Sequence, residues 1–397
     1  MSKRGSKRSE THSEKGAGRP MPRRLVSWAF AFSGAAALIY EVVWTRELAL
    51  VFGSTVYAVS LMLAAFMTGL AVGGYAGGRL ADRATSSVRL FALLELGVGV
   101  FGVLSIPIIR ALPTVYFLLY RGVGASFGMF LAVQFATAFL VMALPTVFMG
   151  ASFPVVSRIA TTSMQTVGHD VGTVYSVNTL GSVLGSTIAG FLLIPAVGVQ
   201  WTTVVAACVN LGVGLLMLSV DPRPGKRAAT TLAVVTIAGL TFAIALGVEE
   251  PVVALNVRMS STSDFVDLAT FKRYVVDTKV EFLEDTAQGR VAVLRTPDGA
   301  LQLRTSGLVE GAGQFLDAQT TELLAHLAIQ CAPAAADDVL VIGLGTGSTA
   351  ATALGYPITR LDVVEINPAV ERASKLFVGS TLADDARCRT VIADARQ

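Results

Sequence analysis

The stretch Val339-Leu-Val-Ile-Gly-Leu-Gly-Thr-Gly347 and, after it, Leu361-Asp-Val-Val-Glu365 set a glycine-rich turn beside a carboxylate at the end of a second apolar strand. A hydrophobic strand that runs into glycines and then a helix lets backbone N–H groups approach a ligand closely, because glycine carries no Cβ. A strand-end carboxylate about 20 residues further on can accept both hydroxyls of a ribose. The dinucleotide fingerprint G-x-G-x-x-G needs glycine at its sixth position, where this chain has Ser348, which argues against a nicotinamide cofactor. The run G-x-G-x-G of Gly343, Gly345 and Gly347 favours an adenosyl-sulfonium ligand of the S-adenosylmethionine type. Taken alone, the glycines also read as an ordinary strand-to-helix turn. Glu365, and a further strand-end acid at Asp394 in Val391-Ile-Ala-Asp394, weigh against that plainer reading.

Strands at 338–342, 360–365 and 389–393, alternating with a helix from about 347 and one opened by Asn367-Pro368, would hold these groups. Ahead of them, Lys279–Glu284, Arg290–Thr296 and Leu301–Thr305 alternate apolar and polar residues, with turns at Gln288-Gly289 and Pro297-Asp-Gly299, as in a small antiparallel β unit. Ala318–Cys331 reads as an amphipathic helix with Leu323, Leu324, Leu327 and Ala328 on one face. It also carries Glu322 and His326. A histidine on such a helix is ordinarily a satisfied structural group, and the alternative is a catalytic one.

The first 250 residues have a different character. Of all 397 residues 53% are hydrophobic and only 15% charged, which is far from a soluble globule. Seven apolar segments are long enough to cross about 30 Å of hydrocarbon: Leu25–Trp44, Val56–Gly77, Leu90–Ile109, Phe127–Phe148, Val171–Val197, Thr202–Val220 and Ala229–Val248. The tail, residues 1–24, is basic, rich in Ser and Gly, and expected to be disordered and cytoplasmic. No aromatic residue is interleaved with its charges, so a nucleic-acid arm is not the reading. Loops on the same side hold Arg79, Arg83, Arg89, Arg158, Arg223, Lys226 and Arg227, against Arg46, Arg110 and Arg121 on the other. Glycines four apart, Gly69 with Gly73, Gly74 with Gly78 and Gly181 with Gly185, allow close helix packing. Glu41, Glu95 and Asn178 are costly in hydrocarbon unless neutralised or paired. Glu41 and Arg46 read as an ion pair near the membrane surface, or else as part of a substrate or proton site. The three cysteines, Cys208, Cys331 and Cys388, have neither metal-site nor disulfide spacing.

Two stretches resemble known families. Gly78-Arg-Leu-Ala-Asp-Arg83 resembles the loop between helices two and three of major facilitator transporters. Ser33-Gly-Ala-Ala-Ala-Leu-Ile-Tyr-Glu-Val-Val-Trp-Thr-Arg-Glu47 is similar to the first helix of bacterial membrane proteins that fuse a facilitator-like bundle to a spermidine synthase domain. The order β unit, helix, glycine turn and acidic strand end over residues 278–397 is also that of the spermidine synthase family. The resemblance implies a multi-pass α-helical membrane domain followed by a small β unit and an incomplete α/β Rossmann-like, methyltransferase-type domain. The corresponding divisions are a tail at 1–24, a bundle at 25–248, a linker at 249–277, the β unit at 278–310 and the truncated nucleotide-binding domain at 311–397. It places Gly343, Gly345 and Gly347 on the adenosyl-sulfonium site, Glu365 on the ribose, Asp394 on the adenine and Gln302 near the same ligand. Glu322 and His326 correspond to the family's Tyr-His-Glu-x-x-x-His helix, in which this chain has Thr320-Thr321 for Tyr-His. Thr346 stands where the family has an aspartate that grips the ligand's amino group, and threonine supplies no charge.

By the same resemblance the reaction is aminopropyl transfer from decarboxylated S-adenosylmethionine to a small-molecule amine, with the donor as co-substrate rather than as a tightly bound cofactor. The family's acids for proton removal follow a fourth parallel strand, and this sequence stops at Gln397 as the third ends, so no general base is nominated. The expectation is a chain that is inactive unless a second copy or another chain completes the sheet. A facilitator-like amine transporter or sensor is the alternative, and a structural remnant without ligand the third reading. The compartment implied is the bacterial inner membrane with a cytoplasmic N-terminus. The soluble part is placed in the cytoplasm, with the ligand, although an odd number of crossings argues against it.

Overall fold

Backbone that enters hydrocarbon must satisfy its own N–H and C=O groups, so the apolar runs fold as helices. The computed structural model describes residues 23–53, 55–123, 127–161, 163–221, 267–312 and 315–397, with positions 233, 236 and 239. The bundle consists of α1 (Arg23–Phe52), α2 (Val56–Arg83), α3 (Ser87–Val123), α4 (Phe127–Ala160), α5 (Val167–Ile188) and α6 (Ile194–Ser219), with a π-helical turn, Ala189–Leu193, between the last two. Five helical segments are long and apolar enough to cross a membrane, the fifth spanning Val167–Ser219. That fifth segment reverses direction. Gly198 leaves helical geometry at φ +78°, ψ 168°. Before it, Asn178 meets Phe30 and Gly185 packs on Ala35, parallel to α1. After it, Gln200, Asn210 and Asp221 meet Arg110, Glu95 and Arg89 in turn, antiparallel to α3. The segment therefore supplies two of the anticipated crossings. Of Ala229–Val248, only the helical Ala233, Thr236 and Gly239 are described. The rest of it, residues 1–22 and linker positions 249–266 lie outside the described residues.

Close approach through small residues holds the bundle together. A Cβ on Gly73 would stand 2.1 Å from the Val147 carbonyl in α4, and one on Gly181 2.0 Å from the Ala31 carbonyl in α1. Gly69 and Gly185 are equally tight, whereas Gly78 faces open space and Gly74 makes only ordinary contact, so that pair is no packing device. Helices α1 and α3 also overrun the spans read from sequence, past Trp44 to Phe52 and past Ile109 to Val123. Charge at Arg46 and Arg110 marks an end in the sequence, but both side chains find partners and the helices continue.

The C-terminal part begins with α7 (Leu268–Asp277), capped by Asp267, whose carboxylate accepts from Thr270 N–H at 2.7 Å. Strands β1 (Lys279–Thr286), β2 (Gly289–Arg295), β3 (Leu301–Thr305) and β4 (Leu308–Ala312) form an antiparallel meander. Helix α8 (Phe315–Gln330) leads to β5 (Asp338–Ile342), α9 (Ser348–Leu354), β6 (Arg360–Glu365), α10 (Pro368–Val378), α11 (Thr381–Asp384) and β7 (Cys388–Ile392). Strands β5, β6 and β7 pair in parallel in that order. Val291, Val293 and Leu303 of the meander share one core with Leu344, Leu361, Val363 and Ala373. One face of the parallel sheet stays open, with Leu340 60% and Ile342 68% exposed. On α8 the leucine face does not enter the core. Leu323, Leu324 and Leu327 are exposed, and the smaller Ala325 is buried instead.

The meander docks on the end of α1 remote from Arg23. Arg290 pairs with Glu47 at 2.9 Å and with Asp285 at 2.8 Å, Asp285 accepts from Val199 N–H at 3.4 Å, and Arg46 donates to the Thr286 carbonyl. Helix α1 has 30 residues, about 45 Å. The chain therefore enters at one end of the bundle and carries its C-terminal part at the other. A cytoplasmic N-terminus and a cytoplasmic soluble part, both anticipated from sequence, exclude each other.

Candidate functional site

Parallel pairing continues from β5 into the glycine turn, where Gly343 N–H donates to the Val364 carbonyl at 2.8 Å. Beyond it, Gly343, Gly345 and Gly347 take φ values of +84°, +55° and +86°. That left-handed region disfavours residues with a Cβ. Gly343 and Gly345 would meet nothing within 4 Å if they bore one, so their backbone is open to an approaching ligand. Gly347 differs. A Cβ there would lie 2.9 Å from Val378 in α10, and this glycine seats the turn on its own domain. Thr346, 7% exposed, packs on Gly311 of β4 and lies 3.0 Å from the Ser348 hydroxyl.

Glu365 ends β6 with its carboxylate buried beside the turn. Its Oε2 accepts from Leu344 N–H at 2.9 Å and its Oε1 from Asn367 N–H at 2.8 Å. Both oxygens are thus fixed by loop backbone, and each keeps a further lone pair for a hydroxyl donor. Asn367 caps α10 through Ala369 N–H at 3.0 Å and donates to the Thr286 hydroxyl at 3.1 Å. Since Thr286 is also the residue that Arg46 holds, a continuous run of bonds joins the glycine turn to α1.

Asp394 follows β7, at the same strand-end rim as the turn and Glu365. Hydrogen bonds from Arg396, one of 2.6 Å, keep its carboxyl below the usual carboxylate range. Gln302, on β3, pairs with Ala312 of β4 and accepts from Arg304 at 2.8 Å, so its link to the turn runs through β4 and Gly311. Glu322 is exposed on α8. His326 lies apart from the turn, with Nδ1 2.6 Å from the Tyr356 hydroxyl, which also accepts from Gln330 at 2.8 Å. The arrangement satisfies the imidazole structurally.

Inside the bundle, Glu95 is fully buried and accepts from Ser33 at 2.7 Å, Ser152 at 3.2 Å and Asn210 at 2.6 Å. Asn178 donates to the Phe30 carbonyl at 2.9 Å. Glu41 accepts from Thr45 at 3.4 Å, and Arg46 turns to Thr286, so the anticipated Glu41–Arg46 pair does not form. Glu47, Asp285, Thr286 and Arg290 join the two parts through contacts that the sequence does not show. Asn367-Pro368 was legible as a helix start, but its second contact, across 81 residues of sequence to Thr286, has no local signal. Among the described residues, no group of three or more His, Cys, Asp or Glu side chains could hold a metal ion.

No family model and no curated protein matches the chain. Solved structures do. Spermidine synthase from Thermotoga maritima is 24% identical over 29% of this chain and 42% of its own, with a TM-score of 0.27. A spermidine synthase in complex with the transition state analogue AdoDATO is 24% identical over 29% of this chain and 40% of its own, also at 0.27. The chain spans about two fifths of the length of these structures.

Proposed function

We propose that the C-terminal part binds an adenosyl-sulfonium ligand, S-adenosylmethionine or its decarboxylated form, and that the chain is a membrane-bound spermidine synthase-like transferase. The observation that carries this reading is the pair of left-handed glycines, Gly343 and Gly345, with open space over both, beside a Glu365 carboxylate held in place by Leu344 and Asn367. Glu365 would accept the ribose hydroxyls through its remaining lone pairs, Asp394 would lie toward the adenine, and Gln302 would lie near the same ligand. Thr346 offers only a hydroxyl, so the ligand's amino end is gripped less firmly than a carboxylate would grip it.

In aminopropyl transfer a neutral amine nitrogen attacks the sulfonium-bound carbon, the C–S bond breaks with its electron pair going to sulfur, and the amine's proton passes to a base. No residue of this chain is assigned as that base. Calorimetric titration of the full chain with each adenosyl ligand tests the binding claim, and an absence of saturable heat with both overturns it.

The transporter reading has one observation in its favour, the buried Glu95 ringed by Ser33, Ser152 and Asn210. Uptake of labelled putrescine by vesicles containing the chain decides between the two.

Orientation follows from charge. Arg83, Arg89 and Arg158 share the bundle end with Arg23, while Arg46 and Arg110 lie at the end that carries the C-terminal part. The positive-inside rule makes the first end cytoplasmic. The C-terminal part then faces the opposite compartment, and its adenosyl ligand must be met there.

A further inference from the structure

Glu95 of α3 has no exposed surface, and the groups that meet its carboxyl come from three other helices. Ser33 of α1 donates to Oε1 at 2.7 Å, Ser152 of α4 donates to the same oxygen at 3.2 Å, and Asn210 of α6 meets Oε2 at 2.6 Å. All four residues lie at one depth, about 12–15 Å along their helices from the bundle end that holds Arg23 and Arg89. That depth falls within a hydrocarbon layer of about 30 Å, where a charged side chain ordinarily pairs with an opposite charge. Glu95 has no such pair. Among the described residues its partners are neutral hydroxyls and an amide. The titratable side chains that share its surroundings are Tyr40 from α1 and, beyond it, Cys208 from α6, neither of which carries a positive charge in any state.

A metal cation is one way to neutralise a carboxylate, and the distances speak against it. The Ser33 hydroxyl and the Asn210 amide touch the carboxyl oxygens at hydrogen-bond length, which leaves no room for an ion between them. A proton fits better. Asn210 is 1% exposed, and its Oδ1 is buried without a hydrogen-bond partner among the described residues. A side-chain amide holds a donor and an acceptor on one carbon, and it can turn over. With Nδ2 toward Glu95 it donates to a carboxylate, and with Oδ1 in that place it accepts from a carboxylic acid. Ser33 and Ser152 keep their bonds to Oε1 in both states. The 2.6 Å contact is shorter than the usual N–H···O range of about 2.7–3.2 Å and ordinary for O–H···O.

We propose that Glu95 is a reversible proton-binding site inside the membrane. The proton sits on Oε2 of a carboxylic acid that donates to Asn210, and it leaves as the amide turns its NH₂ toward the carboxylate. One carboxyl thereby ties α3 to α1, α4 and α6, and its bond to α6 changes with the proton it carries. The inference rests on neither the adenosyl nor the transporter reading.

Infrared difference spectroscopy of the full chain in lipid bilayers reads the carbonyl stretch of a protonated carboxyl directly. At neutral pH the wild type should show one such band that Glu95→Gln lacks, and the band should give way to carboxylate absorption as pH rises. Ser33→Ala takes a donor off the carbonyl oxygen without touching the proton, so the same band should move to higher frequency; this identifies it independently of how Glu95→Gln folds. Asn210→Leu removes the charge-assisted bond to the ionised form, the stronger of the two that the amide makes. Proton affinity should rise about tenfold, which moves the loss of the band up by about one pH unit. The proposal is overturned by the absence of a protonated-carboxyl band that depends on Glu95 or Ser33, by a band that persists unchanged into alkaline pH, or by an unmoved midpoint in Asn210→Leu. Loss of the band on adding sodium ions at constant pH would show a metal-cation site and reject the proton.

Discussion

Both oxygens of Glu365 hold a backbone N–H before any ligand arrives, so this carboxylate shapes the turn as well as offering itself to a ribose. Glu365→Gln leaves one of those N–H groups facing an amide NH₂, an orphaned buried donor that costs about 1–3 kcal/mol. Thermal melting of the full chain should fall accordingly, and an unchanged melting point would show that the N–H contacts carry no weight. Asp385 gives a pH signature outside the membrane. Hydrogen bonds from the Arg387 side chain, the first of the causes, bring its pKa down from 3.8 to about 2. A depressed folded-state value contributes stability that is complete above the unfolded pKa and lost as pH falls through the folded one. The contribution should therefore fade between pH of about 4 and about 2, and Asp385→Asn should flatten that part of the acid-melting curve. At this scale the sequence was informative where chemistry is local. The glycine run, the acid after it and the Asn367 cap are all read from neighbours in the chain. The double commitment of Glu365 and the Thr286 contact of Asn367 depend on a turn and a strand that only folding brings together.

Helix α1 serves two media. Its middle packs small residues against α5, and its last turns keep Leu48, Val51 and Phe52 in the apolar core while Glu47 receives the β meander. This is why its end was misread: charge at Arg46 and Glu47 looks like a membrane boundary, whereas in the fold it is a socket for Arg290. Glu47→Ala removes a carboxylate partner from a buried guanidinium, and breaking such a pair costs about 3–5 kcal/mol. The expected outcome is that protease cuts between the bundle and the C-terminal part much faster, with the bundle itself remaining intact; equal rates in both proteins would refute the socket. The α8 leucines were legible as a face but not as an exposed one, because periodicity gives spacing and never says what lies opposite. The reversal at Gly198 was legible as a gap between two apolar runs. The π turn before it was not, since it differs from a helix only in which carbonyl each N–H meets.

Across the molecule, the strand-end rim, the Glu365–Asn367–Thr286–Arg46 bonds and the ionic joint connect one end of a membrane bundle to the glycine turn. Opposed ends follow from the packing. A reporter active only in the cytoplasm should glow when fused ahead of Met1 and stay dark after Gln397, and equal signals from the two fusions would contradict the arrangement. The central claim is that Gly343–Gly347 and Glu365 hold an adenosyl-sulfonium ligand, and calorimetry on the full chain in a bilayer disc tests it most directly. Saturable one-site binding of S-adenosylmethionine or its decarboxylated form is predicted, weakened about tenfold, or 1.4 kcal/mol, by a methyl placed in the open space over Gly345 with Gly345→Ala. No binding of either ligand, or binding that the added methyl leaves unchanged, would contradict it.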